Sequence, residues 1–196
     1  AIVIGYAVVP GEVSFGKFSL KKINLTQLRK ADKTDSVALA KRKEKKLYRR
    51  NQTFLFIGDS MVEGLSRRLG DYAGENGHKL YTVIWYGSTT EKWANSQTIE
   101  HFIKKHKPTY ILLCLGSNEL FVNDLDVREA HIKTIVAKLV NYPYVWIGPA
   151  SWNGDTGIID LMKKHTKQGC FFDSRGLKLK RGSDHYHPTW EAAALW

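Results

Sequence analysis

The apolar positions of this chain fall into two regimes. From Thr53 onward, short and nearly continuous apolar runs recur at Thr53-Phe-Leu-Phe-Ile57, Leu80–Tyr86, Thr109–Leu115 and Tyr144–Ile147. Runs of this length, without polar alternation, are what a strand covered on both faces requires. Between them, Ile99, Phe102, Ile103 and His106 follow the spacing i, i+3, i+4, i+7, and so do Ile132, Ile135, Val136 and Leu139. That spacing lines one face of an α-helix. Strands alternating with helices predict right-handed βαβ units, and hence a parallel sheet with helices on both sides. The expected fold class is a three-layer α/β/α sandwich with a mostly parallel, flavodoxin-like sheet over residues 51–196.

Residues 1–50 read differently. Pro10-Gly11 signals a turn, and the alternation in Val13-Ser-Phe-Gly-Lys-Phe-Ser-Leu20 predicts strands or an extended arm. This segment is expected to be an N-terminal extension, ending in the basic run Lys41-Arg-Lys-Glu-Lys-Lys-Leu-Tyr-Arg-Arg50.

Composition narrows the class without naming a role. A chain of 196 residues, 43% hydrophobic and 25% charged, supports one globular domain with a sizeable core. The apolar stretch Ala1–Val9 is far shorter than the roughly 20 residues of a membrane-spanning helix, so no transmembrane segment is expected. The chain opens on Ala rather than Met, which is compatible with a targeting segment removed upstream. The net charge of +11 draws much of its excess from Lys41–Arg50. Such a run is either a solvated segment or an attractor for an anionic polymer; no zinc-finger spacing or single-strand-binding motif accompanies it, so no specific nucleic acid is implied. Two cysteines, Cys114 and Cys170, build neither a disulfide framework nor a Cys-rich metal site, and Cys114 sits in an apolar run as a small hydrophobe.

In an open parallel sheet, sites form in the loops that follow the carboxyl ends of the strands. Those loops begin Gly58-Asp-Ser60, Gly87-Ser-Thr89, Gly116-Ser-Asn118 and Gly148-Pro-Ala150. Ser60 follows a strand and opens a helix, where the helix N-terminus favours developing negative charge. It equally opens the capping box Ser60-Met-Val-Glu63, a purely structural role. Gly87 lets a backbone N–H approach a reacting oxygen, or is a plain turn glycine. Asn118 has an amide able to donate to an oxyanion, or caps a turn. Near the C-terminus, Asp184-His-Tyr-His-Pro188 precedes the helical segment Thr189–Trp196. An acid three residues before a histidine can orient the imidazole, and His187 would then take the Ser60 proton. Asp184, His185 and His187 also offer metal-ligand groups, but no fourth ligand stands at a recognisable spacing.

Together, Gly58-Asp-Ser60, Gly87, Gly116-x-Asn118 and Asp184-x-x-His187 resemble, in order, the four sequence blocks of the SGNH (GDSL-type) hydrolase superfamily. The resemblance spans about residues 53–190. It implies Ser60 as nucleophile, Asp184 and His187 as the rest of a triad, and an oxyanion hole from the Ser60 and Gly87 N–H groups and the Asn118 side chain. It implies hydrolysis of carboxylic esters through an acyl-enzyme, with acetyl or other short-chain groups on carbohydrate among the candidate substrates, and neither metal nor organic cofactor. Met61 and Glu119 depart from the pattern, which commonly has Leu and Asp there, and the longer Glu119 calls local packing into question. Trp93, Trp152 and Asn153 follow the second and fourth strands and are candidate sugar-stacking residues, or else packing residues. An acyltransferase with the same triad and a non-catalytic polyanion-binding module are the rival functions. A carbohydrate esterase would suit the periplasm, cell envelope or exterior.

Overall fold

The computed structural model describes residues 51–196 continuously, together with the backbone of two strands in the first fifty residues. By its contacts the chain divides into two compact units, residues 1–50 and 51–196. In the first unit, β1 (Glu12–Phe15) pairs antiparallel with β2 (Phe18–Lys21), setting Val13 opposite Leu20. The basic run Lys41–Arg50, with the anionic-polymer role expected of it, lies outside the described residues.

The second unit carries five strands: β3 (Thr53–Gly58), β4 (Lys79–Ile84), β5 (Tyr110–Cys114), β6 (Tyr144–Ile147) and β7 (Phe171–Phe172). They form one sheet in the order β4-β3-β5-β6-β7, with every pair parallel. Counted from β3, this is the doubly wound 2-1-3-4-5 order of flavodoxin-like folds. The helices are α1 (Met61–Glu75), α2 (Thr90–Asn95), α3 (Thr98–His106), α4 (Leu125–Leu139), α5 (Ile158–His165) and α6 (Trp190–Leu195).

Side-chain alternation along the strands sorts the core into two layers. Leu55, Ile57, Ile111, Leu113 and Trp146 face one way and pack on Ile99 and Ile103 of α3, Ile132 and Ile135 of α4, and Ile158 and Met162 of α5. Phe56 and Cys114 face the other way and meet Met61, Val62 and Leu65 of α1, with Trp196 after α6 packed beside them. At about 1.5–3 kcal/mol for each large apolar side chain withdrawn from water, these two layers account for why helices settle on both faces. Each predicted strand run and helical stripe thus lands on an element. The three elements without a forecast are α2, α5 and the short β7.

The order reverses between β3 and β5: the chain leaves β3 for β4 on one side, then crosses back to β5 on the other. A crevice opens at such a point because successive crossover helices depart to opposite faces. Gly58 ends β3 here because a Cβ would lie 1.7 Å from the Cys114 carbonyl oxygen of the adjacent strand.

Candidate active site

The loop after β3 presents Ser60 at the N-terminus of α1. Its side chain makes no capping hydrogen bond to the helix, which removes the purely structural role. The hydroxyl instead lies 2.8 Å from His187 Nε2, a contact across 127 positions of chain. His187 Nδ1 is 2.6 Å from Asp184 Oδ2, and Asp184 Oδ1 accepts the N–H groups of Tyr186 at 2.9 Å and His187 at 3.0 Å. These bonds, the imidazole first among them, hold the Asp184 carboxyl down at about 2, so it stays anionic and fixes Nδ1 as the donor. His185 makes no hydrogen bond to Ser60; its left-handed backbone, φ 64°, turns the chain between the acid and His187.

The loop after β5 brings Asn118 to the same crevice. Gly116 adopts φ 116°, a conformation glycine tolerates, and a Cβ there would lie 2.2 Å from Met162 Cε. Asn118 Nδ2 donates to the Ser88 carbonyl at 2.9 Å, tying this loop to the one after β4 that contains Gly87. Among the described residues, the N–H groups of Ser60 and Gly87 have no acceptor. Ser60, Asn118 and His187 share the wall of one cleft of about 540 Å³, whose other lining includes Met61, Leu120, Phe121, Val122, Trp152 and Tyr186. The apolar wall Leu120-Phe-Val122 was missed in the sequence, where its signal is an apolar triplet directly after the strand-end loop Gly116–Glu119.

Glu119 resolves the packing question raised by its length. It is buried, its Oε2 accepts the Thr90 N–H at 2.6 Å and its Oε1 the Thr90 hydroxyl at 2.8 Å, while Arg128 Nε approaches to 3.3 Å. The extra methylene carries the carboxylate to the first residue of α2. Burial raises its pKa, opposed by the bonds from Thr90.

Of the three candidate sugar contacts, only Trp152 lines the cleft. Trp93 is completely buried in the core and donates Nε1–H to Ser88 Oγ at 2.8 Å, so its role is packing and loop support rather than substrate contact. Its sequence position after β4 could not distinguish the two, because α2 turns its ring inward. Asn153 is exposed and lies off the cleft wall.

A residue absent from the forecast organises the floor. Asp59 is completely buried and accepts three backbone N–H groups: Met61 at 3.0 Å on Oδ1, and Gly116 and Ser117 at 3.1 Å each on Oδ2. It thereby stitches the Ser60 loop to the Asn118 loop across the switch point. Burial pushes its pKa up to about 6, even against those three donors. Its signal in the sequence is an acid wedged between a strand-ending glycine and a helix-opening serine, where an Asx turn to residue i+2 forms.

No protein-family model matches the sequence, and comparison with curated proteins returns no match. Solved structures do match. LAE5, an α/β hydrolase from the metagenome of Lake Arreo, superposes with a TM-score of 0.56 at 16% identity, over 74% of this chain and 92% of that one. The psychrotrophic esterase EstA from Pseudoalteromonas sp. gives 0.53 at 16%, over 74% and 92%. A protein from Parabacteroides merdae described as a GDSL-like lipase gives 0.53 at 12%, over 74% and 93%. The chain has the fold of the GDSL-type, or SGNH, ester hydrolases. Within the SGNH fold, the four loops that carry the sequence blocks meet at the switch point described above, with Ser60 and His187 in hydrogen-bonding contact.

Proposed function

We propose that this protein is a serine esterase that cleaves carboxylic esters through an acyl-enzyme on Ser60. The observation that carries the reading is the hydrogen-bonded series from Ser60 Oγ to His187 Nε2, 2.8 Å, and from His187 Nδ1 to Asp184, 2.6 Å. In this reading His187 removes the hydroxyl proton as Oγ attacks the ester carbonyl, then returns it to the departing alcohol. Water activated by the same imidazole releases the acid and restores Ser60. Asp184, anionic throughout, stabilises the imidazolium formed in both halves. The oxyanion is held by the N–H groups of Ser60 and Gly87 and by the Asn118 amide. Two features favour that role: the N–H groups have no acceptor among the described residues, and the amide is fixed in place by Ser88 before any substrate arrives.

The substrate is proposed to be a short-chain acyl ester, acetyl first, with a carbohydrate alcohol seated against Trp152. Support for the alcohol is the half-buried indole on the cleft wall, in T-shaped contact with Phe121 at 6.2 Å and Tyr186 at 5.4 Å. The Arg181 guanidinium lies over the same indole, 5.5 Å from its centroid. The test is hydrolysis of a chromogenic acetyl ester by the full chain and by Ser60→Ala. Turnover is expected in the former and its loss, by roughly three orders of magnitude or more, in the latter. Equal turnover by both would sink the assignment of Ser60.

A further inference from the structure

The esterase reading requires that the imidazole of His187 stay within reach of Ser60, and His187 stands on an exposed turn rather than on a strand or helix. The turn is stiff within itself. Gly182 N–H donates to the His187 carbonyl at 2.8 Å, His185 N–H to the Gly182 carbonyl at 3.1 Å, and Thr189 N–H to the Lys180 carbonyl at 2.9 Å, while Arg181 and Pro188 form a β-bridge. None of these bonds ties the turn to the sheet.

Arg181 makes that tie. Its Nη2 donates to the Ala150 carbonyl at 2.6 Å and its Nη1 to the Tyr186 carbonyl at 2.8 Å. Ala150 is buried in the loop directly after β6, and Tyr186 is the residue before His187. The same guanidinium lies over the indole of Trp152, which makes a T-shaped contact with the Tyr186 ring. Among the described residues Arg181 forms no ion pair, so its donors are spent on backbone rather than on a carboxylate. A guanidinium presents two nitrogens in a rigid planar fork that reaches two carbonyls at once and still stacks on a ring. An ammonium is a single point with no plane, and cannot do all three.

Resting on the esterase reading, we infer that Arg181 is a positioning residue: it clamps the His187 turn to the loop after β6 and so sets the distance from the imidazole to Ser60. The bond between His187 and Asp184 lies within the turn and moves with it. Without the clamp, the turn keeps its shape but loses its registration against Ser60. A displacement of about 1 Å between reacting groups can lower a rate about 100-fold.

The experiment compares the intact chain with Arg181→Ala, Arg181→Lys and Ser60→Ala on a chromogenic acetyl ester, with kcat and KM separated. It adds the far-downfield proton resonance of the imidazole Nδ1–H bonded to Asp184. Arg181→Ala is expected to lower kcat by roughly 30- to 100-fold with KM within about threefold, since the clamp touches catalytic geometry and not the small ester. The downfield resonance should persist, because the turn is intact, yet its response to a serine-directed phosphonate inhibitor should weaken. Arg181→Lys should recover only part of the rate. If Arg181→Ala does not fold, Arg181→Lys carries the test, and wild-type kcat in that variant overturns the inference. Loss of activity in Ser60→Ala with Arg181→Ala within threefold of wild type overturns the clamp alone. Activity retained by Ser60→Ala overturns the esterase reading and the clamp together.

Discussion

Two carboxylates support Ser60, one on the C-terminal turn and one buried beneath the serine loop, and they are instructive because their hydrogen bonds are so alike. Asp184, on the C-terminal turn, accepts two backbone N–H groups and the imidazole. Asp59, beneath the serine loop, accepts three backbone N–H groups. Yet the first is held down at about 2 and the second is pushed up to about 6. The difference is water. Asp184 has 47% of its side chain exposed, whereas Asp59 has none. Solvation lets hydrogen bonds stabilise the anion at Asp184, and desolvation outweighs the same kind of bonds at Asp59. One carboxylate is therefore suited to work on charge during a reaction, and the other to hold two loops together.

The comparison is most sharply tested at Asp184. Asp184→Asn keeps the shape of the side chain but loses the anion and fixes the wrong imidazole tautomer. It is expected to lower kcat by roughly 10³- to 10⁴-fold while leaving thermal unfolding nearly unmoved, as ester turnover and calorimetry would report. A large fall in melting temperature would mean that Asp184, too, is mainly structural.

Asp59→Asn should show the opposite balance. An asparagine has one acceptor oxygen, so an NH₂ group must face at least one of the three donors, and a buried unpaired donor costs about 1–3 kcal/mol. Denaturant unfolding should register that loss, with turnover falling less than in Asp184→Asn. The pH dependence sharpens the point. A folded pKa of about 6 against 3.8 unfolded means that the native state binds the extra proton between those values. Stability contributed by Asp59 is thus greatest below about pH 4 and declines by up to about 3 kcal/mol as pH rises through 6. Asp59→Asn removes this slope, so the gap between wild type and variant should narrow with rising pH. A gap that stays constant from pH 4 to 7 would contradict the buried-carboxyl account.

The smallest effect is expected on the acid side. With its folded pKa depressed to about 2, Asp184 contributes stability that is present above about pH 4 and lost as pH falls toward 2. Because the group is solvated, the effect is slight. Asp184→Asn should make acid unfolding between pH 4 and 2 a little less steep, which a circular dichroism titration would detect; an unchanged titration would argue against the depressed pKa.

Much of the architecture is written in local patterns. The run Thr53–Ile57 becomes β3, Tyr144–Ile147 becomes β6 unchanged, and the stripe at Ile132, Ile135 and Leu139 is buried as a single face of α4. Such patterns are legible because the period of an element and the side it buries are properties of a few neighbouring residues. The loops at the strand ends followed from the same reading, and with them Ser60 and Asn118, whereas His187 was read from its spacing to Asp184 near the C-terminus.

What the chain alone left open are choices between partners far apart in it. Whether Ser60 caps α1 or meets an imidazole depends on a residue 127 positions away. Whether Trp93 or Trp152 faces the cleft depends on how α2 and the loop after β6 rotate against the sheet, and one is wholly buried while the other lines the wall. Asp59 is an unremarked acid in the sequence; only packing from both sides of the switch point removes its water and raises its pKa. Periodicity and turn chemistry act over a few residues and therefore survive in the sequence. Desolvation and convergence exist only once segments from Asp59 to His187 have been brought together, and those were decided by the tertiary structure.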